Sequence, residues 1–311
     1  MPSFLRLFAS AALLLFALAA HAGSAPSSFA YVLQADALEK TKPAAIERLA
    51  ASGRDWIVLD AVFNSDTPWT RADLDALRAR KPERKIIAYL SIGEAEDYRP
   101  YWRKEWGTRR KLTAAAPAWL GSENPQWKGN YRVKYWNADW QRLILASVDE
   151  VMARGFDGVY LDIVDGFETY EQSGNTWIAD RINPETRQSY RRDMVDWVKA
   201  IAARARSKNP IALVIPQNGS QLLVQADFLE TLSAIGIEDL FTIGDKLQPA
   251  ANTREVLGYL RKMADAKKPV LLIEYARQPG RREAVKKHAQ ENGLVWLLTD
   301  RELKTLGESG K

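Results

Sequence analysis

Eight short runs of β-branched and apolar residues alternate along the sequence with stretches of helical spacing, and few folds accept that rhythm. The runs are Phe29 to Gln34, Trp56 to Ala61, Lys85 to Gly93, Gly155 to Gly166, Ile211 to Asn218, Ala234 to Phe241, Pro269 to Tyr275 and Leu294 to Asp300. Between them, helices are expected over Ala44 to Ser52, from Thr70 to Lys81-Pro82, over Asp139 to Arg154, Pro184 to Ser207, Gln221 to Phe228, Thr253 to Ala264 and Arg281 to Glu291. Their ends carry the expected stop and start residues. Thr70 with Asp73 forms a capping box, Asn183-Pro184 reads as N-cap and first position, and Gly155 stands where a helix must stop. Strict alternation in this number predicts an α/β fold, a closed (β/α)8 TIM barrel. A doubly wound open sheet is the alternative, but no Gly-x-Gly-x-x-Gly turn follows any run, so its dinucleotide-binding form lacks its signature.

Acids stand at or near the ends of successive runs: Asp60, Glu94, Asp162, Glu238, Glu274 and Asp300. In a barrel these positions converge on the active-site face. Asp162 and Asp165 could instead cap a turn, and at least half of the six acids are expected to be salt-bridged to the abundant Arg and Lys. Elimination narrows the chemistry. The 311 residues contain no cysteine and two histidines, His21 and His288, so thiol catalysis has no nucleophile and a Ser-His-Asp relay lacks parts. No HExxH spacing or Walker loop occurs, and neither metal nor cofactor is expected. Formal charge is +5 and spread along the chain, which leaves no footprint for nucleic acid. Two facing carboxylates, by contrast, suffice for glycoside hydrolysis.

The N-terminus carries Arg6, an apolar run from Leu7 to Ala20, and Ala20-His21-Ala22. That pattern predicts a signal peptide over 1–22, cleavage after Ala22, a secreted or periplasmic protein, and a single domain over 23–311 without stable membrane insertion. A second irregularity is the segment of about 98–138. It holds Tyr98, Tyr101, Trp102, Trp106, Trp119, Trp127, Tyr131, Tyr135 and Trp136 after the third run. Aromatic rings there can stack on sugars, and the group is expected to form a binding surface, although Trp102 and Trp106 could be one face of a short helix.

Three stretches carry a resemblance: Tyr89-Leu90-Ser91-Ile92-Gly93-Glu94-Ala95-Glu96, Gly155-Phe156-Asp157-Gly158-Val159-Tyr160-Leu161-Asp162-Ile163-Val164-Asp165, and Gly236-Ile237-Glu238-Asp239. Together they resemble glycoside hydrolase family 114, the endo-α-1,4-polygalactosaminidase family, over roughly Phe29 to Asp300. The resemblance implies a barrel that cleaves partly deacetylated galactosamine polymers, with Asp162 and Glu238 as the catalytic acids. Tyr89, Glu94, Asp60, Asp165, Asn218 and Glu274, with Trp127 and Trp136 of the insertion, are the expected substrate-binding residues. One departure stands out: the family pattern Asp-Asn-Val-Asp reads Asp162-Ile163-Val164-Asp165 here. An acidic mouth suits a cationic amino sugar. A non-catalytic glycan-binding barrel is the competing expectation.

Overall fold

A computed structural model describes residues 25–108 and 111–311; the expected leader at 1–22 lies outside the described residues. Eight parallel strands follow one another around a barrel: β1 (Phe29–Val32), β2 (Trp56–Asp60), β3 (Lys85–Ser91), β4 (Gly158–Asp162), β5 (Leu213–Pro216), β6 (Ile235–Glu238), β7 (Val270–Glu274) and β8 (Val295–Leu298). Strands β1 to β5 form one continuous parallel sheet, β6 to β8 another, and a parallel bridge between Gln217 and Gly236 joins β5 to β6. The remaining seam is filled by a ninth strand. β9 (Glu308–Gly310) pairs antiparallel with β8, and Ser309 Oγ accepts from the Phe29 N–H of β1 at 2.9 Å. Arg54 fastens the same strand by donating to the carbonyls of Ser309 and Gly307 at 3.2 and 2.7 Å.

Side-chain parity explains the two cores. Alternate residues of a strand point to opposite faces. Phe29, Tyr31, Trp56, Val58, Ile87, Tyr89, Tyr160, Ile215, Leu271, Ile273, Val295 and Leu297 form one buried cluster, which is the barrel interior. Their neighbours Ile57, Leu59, Ile86, Ala88, Val159, Leu161, Val214, Ile237 and Leu272 pack outward with the helices in a second cluster. The interior is full at one point in particular. A Cβ on Gly236 would lie 1.8 Å from the Tyr160 hydroxyl oxygen and 2.4 Å from Gln217 Oε1, so only glycine leaves room for that tyrosine.

Local signals mostly operate as expected. The Thr70 capping box forms, with Asp73 N–H donating to Thr70 Oγ1 at 3.2 Å and Thr70 N–H to Asp73 Oδ2 at 2.8 Å. Gly155, at φ +98°, ends the helix Ala138–Arg154. One helix differs. It spans Tyr190–Lys208 with Ser189 as its cap, not Pro184 to Ser207, because Asn183 is buried and donates to Asp193 Oδ2 at 2.7 Å, holding 184–189 as a loop. The expected helix over Gln221 to Phe228 is a 3-10 turn, Ser220–Val224, followed by the helix Ala226–Thr231. The long insertion is partly ordered as sheet: Glu94–Glu96, Asn130–Val133 and Leu120–Glu123 form three antiparallel strands.

Candidate active site

Three consecutive strand ends turn through left-handed backbone. Ile163 after Asp162 has φ 59°, Asn218 after Gln217 has φ 60°, and Asp239 after Glu238 has φ 52°. Each break ends the strand where its last inward position carries a polar side chain, Asp162 two residues beyond Tyr160 and Glu238 two beyond Gly236. Asn and Asp tolerate this backbone; Ile does not, since a β-branched residue there meets its own carbonyl. Strain of this kind is often held at functional sites. Replacing Ile163 by Asn, the residue of the family pattern, is therefore expected to raise stability by about 1 kcal/mol. Thermal unfolding of the two proteins at one pH measures it; an unchanged or lower Tm would contradict the strain.

The two acids have separate supports. Asp162 Oδ2 accepts from the Tyr89 hydroxyl at 2.7 Å, and Oδ1 from the Ile163 N–H at 2.9 Å. Glu238 Oε2 accepts from the Tyr275 hydroxyl at 2.8 Å and Oε1 from Asn218 Nδ2 at 3.2 Å. Arg301 backs the second support: it donates to both Asp239 oxygens at 2.7 Å and lies 4.1 Å above the Tyr275 ring. Neither Asp162 nor Glu238 has a salt-bridge partner among the described residues. Burial, then the neighbouring Glu238, push the Asp162 carboxyl up to about 7. Asp165 is held well above the usual carboxylate range by burial, then by Glu168, Asp162 and Glu238.

A cavity of about 710 Å³ opens over this pair. It gathers eight of the ten expected residues: Asp60, Tyr89, Glu94, Trp127, Asp162, Asp165, Asn218 and Glu238. Its other acids are Glu96, Glu168 and Glu302, against Lys128 and Arg301 as the lining bases. Arg99 from outside the lining neutralises part of this excess, donating to both oxygens of Asp60 at 2.8 Å and to Glu96 at 2.6 Å. Glu94, almost fully buried, accepts from Asn124 Nδ2 at 2.8 Å, and burial raises its pKa.

Two expected residues lie elsewhere. Glu274 is fully buried with the outward parity of β7, accepting from the N–H of Phe241 at 2.6 Å and from the N–H of Thr242 at 3.2 Å. Trp136 packs on Tyr135, Tyr170 and Tyr190 at ring distances of 5.0, 4.8 and 5.2 Å, with Nε1 donating to Glu185. The aromatic insertion as a group is also mainly core. Trp102, Trp106, Trp119 and Tyr131 stack on one another and on Trp140 of the helix behind them, leaving Tyr98 and Trp127 to line the cavity. Nor are half of the six strand-end acids ion-paired: among the described residues only Asp60 is, while Asp300 caps the turn at Lys304 and Thr305. Residues not foreseen are Tyr275 and Arg301. Tyr275 was accessible through parity, two residues beyond inward-facing Ile273; nothing local marks Arg301.

Comparisons with known proteins bear on the family and the fold. The sequence pattern of glycoside-hydrolase family GH114 matches residues 16–310. An uncharacterized protein of Deinococcus radiodurans is 38% identical over 251 residues, 80% of this chain and 74% of that protein. Another, from Methanocaldococcus jannaschii, is 34% identical over 74% of this chain, which spans 63% of that relative's length. Among solved structures, the glycoside hydrolase domain of PelA from Pseudomonas aeruginosa superposes with a TM-score of 0.65 at 21% identity, covering 91% of this chain and 98% of that one. Aspergillus fumigatus Ega3, solved in complex with galactosamine, gives 0.64 at 17% identity, covering 91% and 94%. These structural likenesses support the TIM-barrel fold.

Proposed function

This chain belongs to glycoside-hydrolase family GH114, and we propose that it cleaves an amino-sugar polysaccharide, an α-1,4-linked, partly deacetylated galactosamine polymer, by a two-carboxylate mechanism with retention. The observation that carries the reading is the pair Asp162 and Glu238, each held by a tyrosine hydroxyl in an acid-rich cavity and neither with a salt-bridge partner among the described residues. Asp162 attacks the anomeric carbon as the glycosidic C–O bond breaks, and Glu238 gives its proton to the leaving oxygen. Water then displaces Asp162, returning its proton to Glu238. The acidic lining favours a polymer bearing free ammonium groups. The leader read at 1–22 suits a substrate met in the periplasm or outside the cell.

The test is release of reducing ends from α-1,4-galactosamine polymer prepared with and without N-acetylation. Cleavage is expected where free amines are present. A protein inert on both forms, with its fold intact, would refute the reading.

Glu94 is assigned to holding the substrate. It lies in the same cavity, and a buried carboxylate there pairs strongly with an ammonium or hydroxyl. Glu94→Gln is expected to raise KM about tenfold while kcat changes far less, as loss of uniform binding requires. A collapse of kcat with unchanged KM would place Glu94 in the chemistry instead.

A further inference from the structure

All eleven tryptophans fall within the described residues, and only Trp127 and Trp177 are strongly exposed, at 48% and 46%. The other nine are buried or half-buried. Trp127 lines the cavity already described. Trp177 lines a second cavity of about 550 Å³, to which Glu238 also contributes. The two cavities share Asp165, Glu168, Asn218 and Glu238, so they are arms of one groove that meet at Glu238, with Asp162 in the first arm.

Trp177 sits on a short hairpin, Gln172–Ser173 paired with Thr176–Trp177, that follows the helix after β4. The base of this hairpin is fixed. Glu171 is fully buried, accepts from Arg191 Nε and Nη2 at 2.8 and 2.9 Å, and also accepts from the Asp180 N–H at 2.7 Å. A buried, bidentate ion pair of this kind holds its segment in one place. Among the described residues no other ring stacks on Trp177. A large apolar ring, about half exposed, thus lines a groove on a rigid base.

We propose that this second arm binds further amino-sugar units of the same chain, with Trp177 as the platform on which a pyranose ring stacks. The ligand is cationic, because the arm adds Glu255 to the acids that it shares with the first cavity, while Asp239 is paired with Arg301 and the charge of its one lining base, Arg191, is taken up by Glu171. An indole face gives such a unit apolar contact and attracts its ammonium group. The polymer then runs from Trp127 across Asp162 and Glu238 to Trp177, and the number of units bound beyond the scissile bond depends on this hairpin. The inference rests on the proposed amino-sugar activity.

The experiment compares wild type, Trp177→Ala and Trp177→Phe on α-1,4-galactosamine oligomers of increasing length, reading kcat/KM and the product sizes by mass spectrometry. For Trp177→Ala, the ratio of kcat/KM for long over short oligomers is expected to fall about tenfold, and the cleavage position to shift along the chain. Phe should restore part of both. An unchanged ratio and unchanged products in Trp177→Ala would overturn the arm. If wild type itself cleaves none of the oligomers, the amino-sugar reading fails separately, and the arm is then judged by calorimetric affinity for the same polymer: equal affinity of wild type and Trp177→Ala would overturn it as well.

Discussion

Glu238→Gln and Asp162→Asn are each expected to lower kcat by about a thousandfold or more, with the fold intact and polymer affinity little changed. The substitutions keep volume and shape. In Asp162→Asn the amide oxygen still accepts from the Tyr89 hydroxyl, which wild type places 2.7 Å from Oδ2. What is lost, on the proposed mechanism, is the charge that meets the anomeric carbon as it becomes cationic. In Glu238→Gln, Tyr275 and Asn218 keep a side chain to hold, but no proton can pass to the leaving oxygen. Interactions made only in the transition state alter kcat far more than binding. Reducing-end release, circular dichroism and polymer binding on the same preparations check all three parts. Near-wild-type turnover in either variant would remove that residue from the pair.

The pH dependence is the second large effect. In the proposed mechanism Asp162 is the ionised partner, and burial with Glu238 nearby raises its pKa to about 7. On α-galactosaminyl fluoride, whose leaving group needs no proton from Glu238, kcat/KM is therefore expected to fall nearly tenfold per unit as pH drops below about 7, as the nucleophile takes up a proton. A rate that instead rises between pH 7 and 5 would remove Asp162 as the nucleophile. Stability runs the other way. A carboxyl whose folded pKa lies above its unfolded value destabilises the native state wherever it must ionise, so this contribution weakens the fold as pH rises from about 4 to 7. Asp162→Asn removes that cost. The variant should be more stable than wild type by on the order of 2 to 4 kcal/mol at pH 8, with the gain shrinking as pH falls toward 4. Chemical denaturation at both pH values measures it; a variant less stable at pH 8 would contradict the strained carboxylate.

Much of this site was legible because a barrel strand obeys a period of two. The run Val159-Tyr160-Leu161-Asp162 has Leu161 among the outward cluster and Tyr160 inside, so Asp162 had to face the mouth. The same count should have excluded Glu274, which alternates with the inward residues Ile273 and Tyr275, and should have brought Tyr275 in. Composition misled more than pattern. The density of Trp and Tyr in the insertion says only that large rings need burial, and Trp102, Trp106 and Trp119 find it against Trp140. Asn183-Pro184 has the chemistry of a helix start, yet Asp193 captures the asparagine amide through a contact ten residues away. Arg301 reaches Asp239 across 62 positions of sequence, a pairing that only the tertiary fold creates. Ile163 shows the converse: its backbone strain became visible only once its φ was known, although the departure from the family pattern already marked the position.

The assignment of roles is tested most directly by trapping the intermediate. On the proposed roles Glu238→Gln lacks the base that helps water attack, so with α-galactosaminyl fluoride, whose leaving group needs no proton, the sugar should accumulate on the nucleophile. Mass spectrometry of the digested protein is predicted to find one galactosaminyl unit on the peptide containing Asp162. A label on any other residue, or fluoride release without a label and with inverted product, would contradict the account.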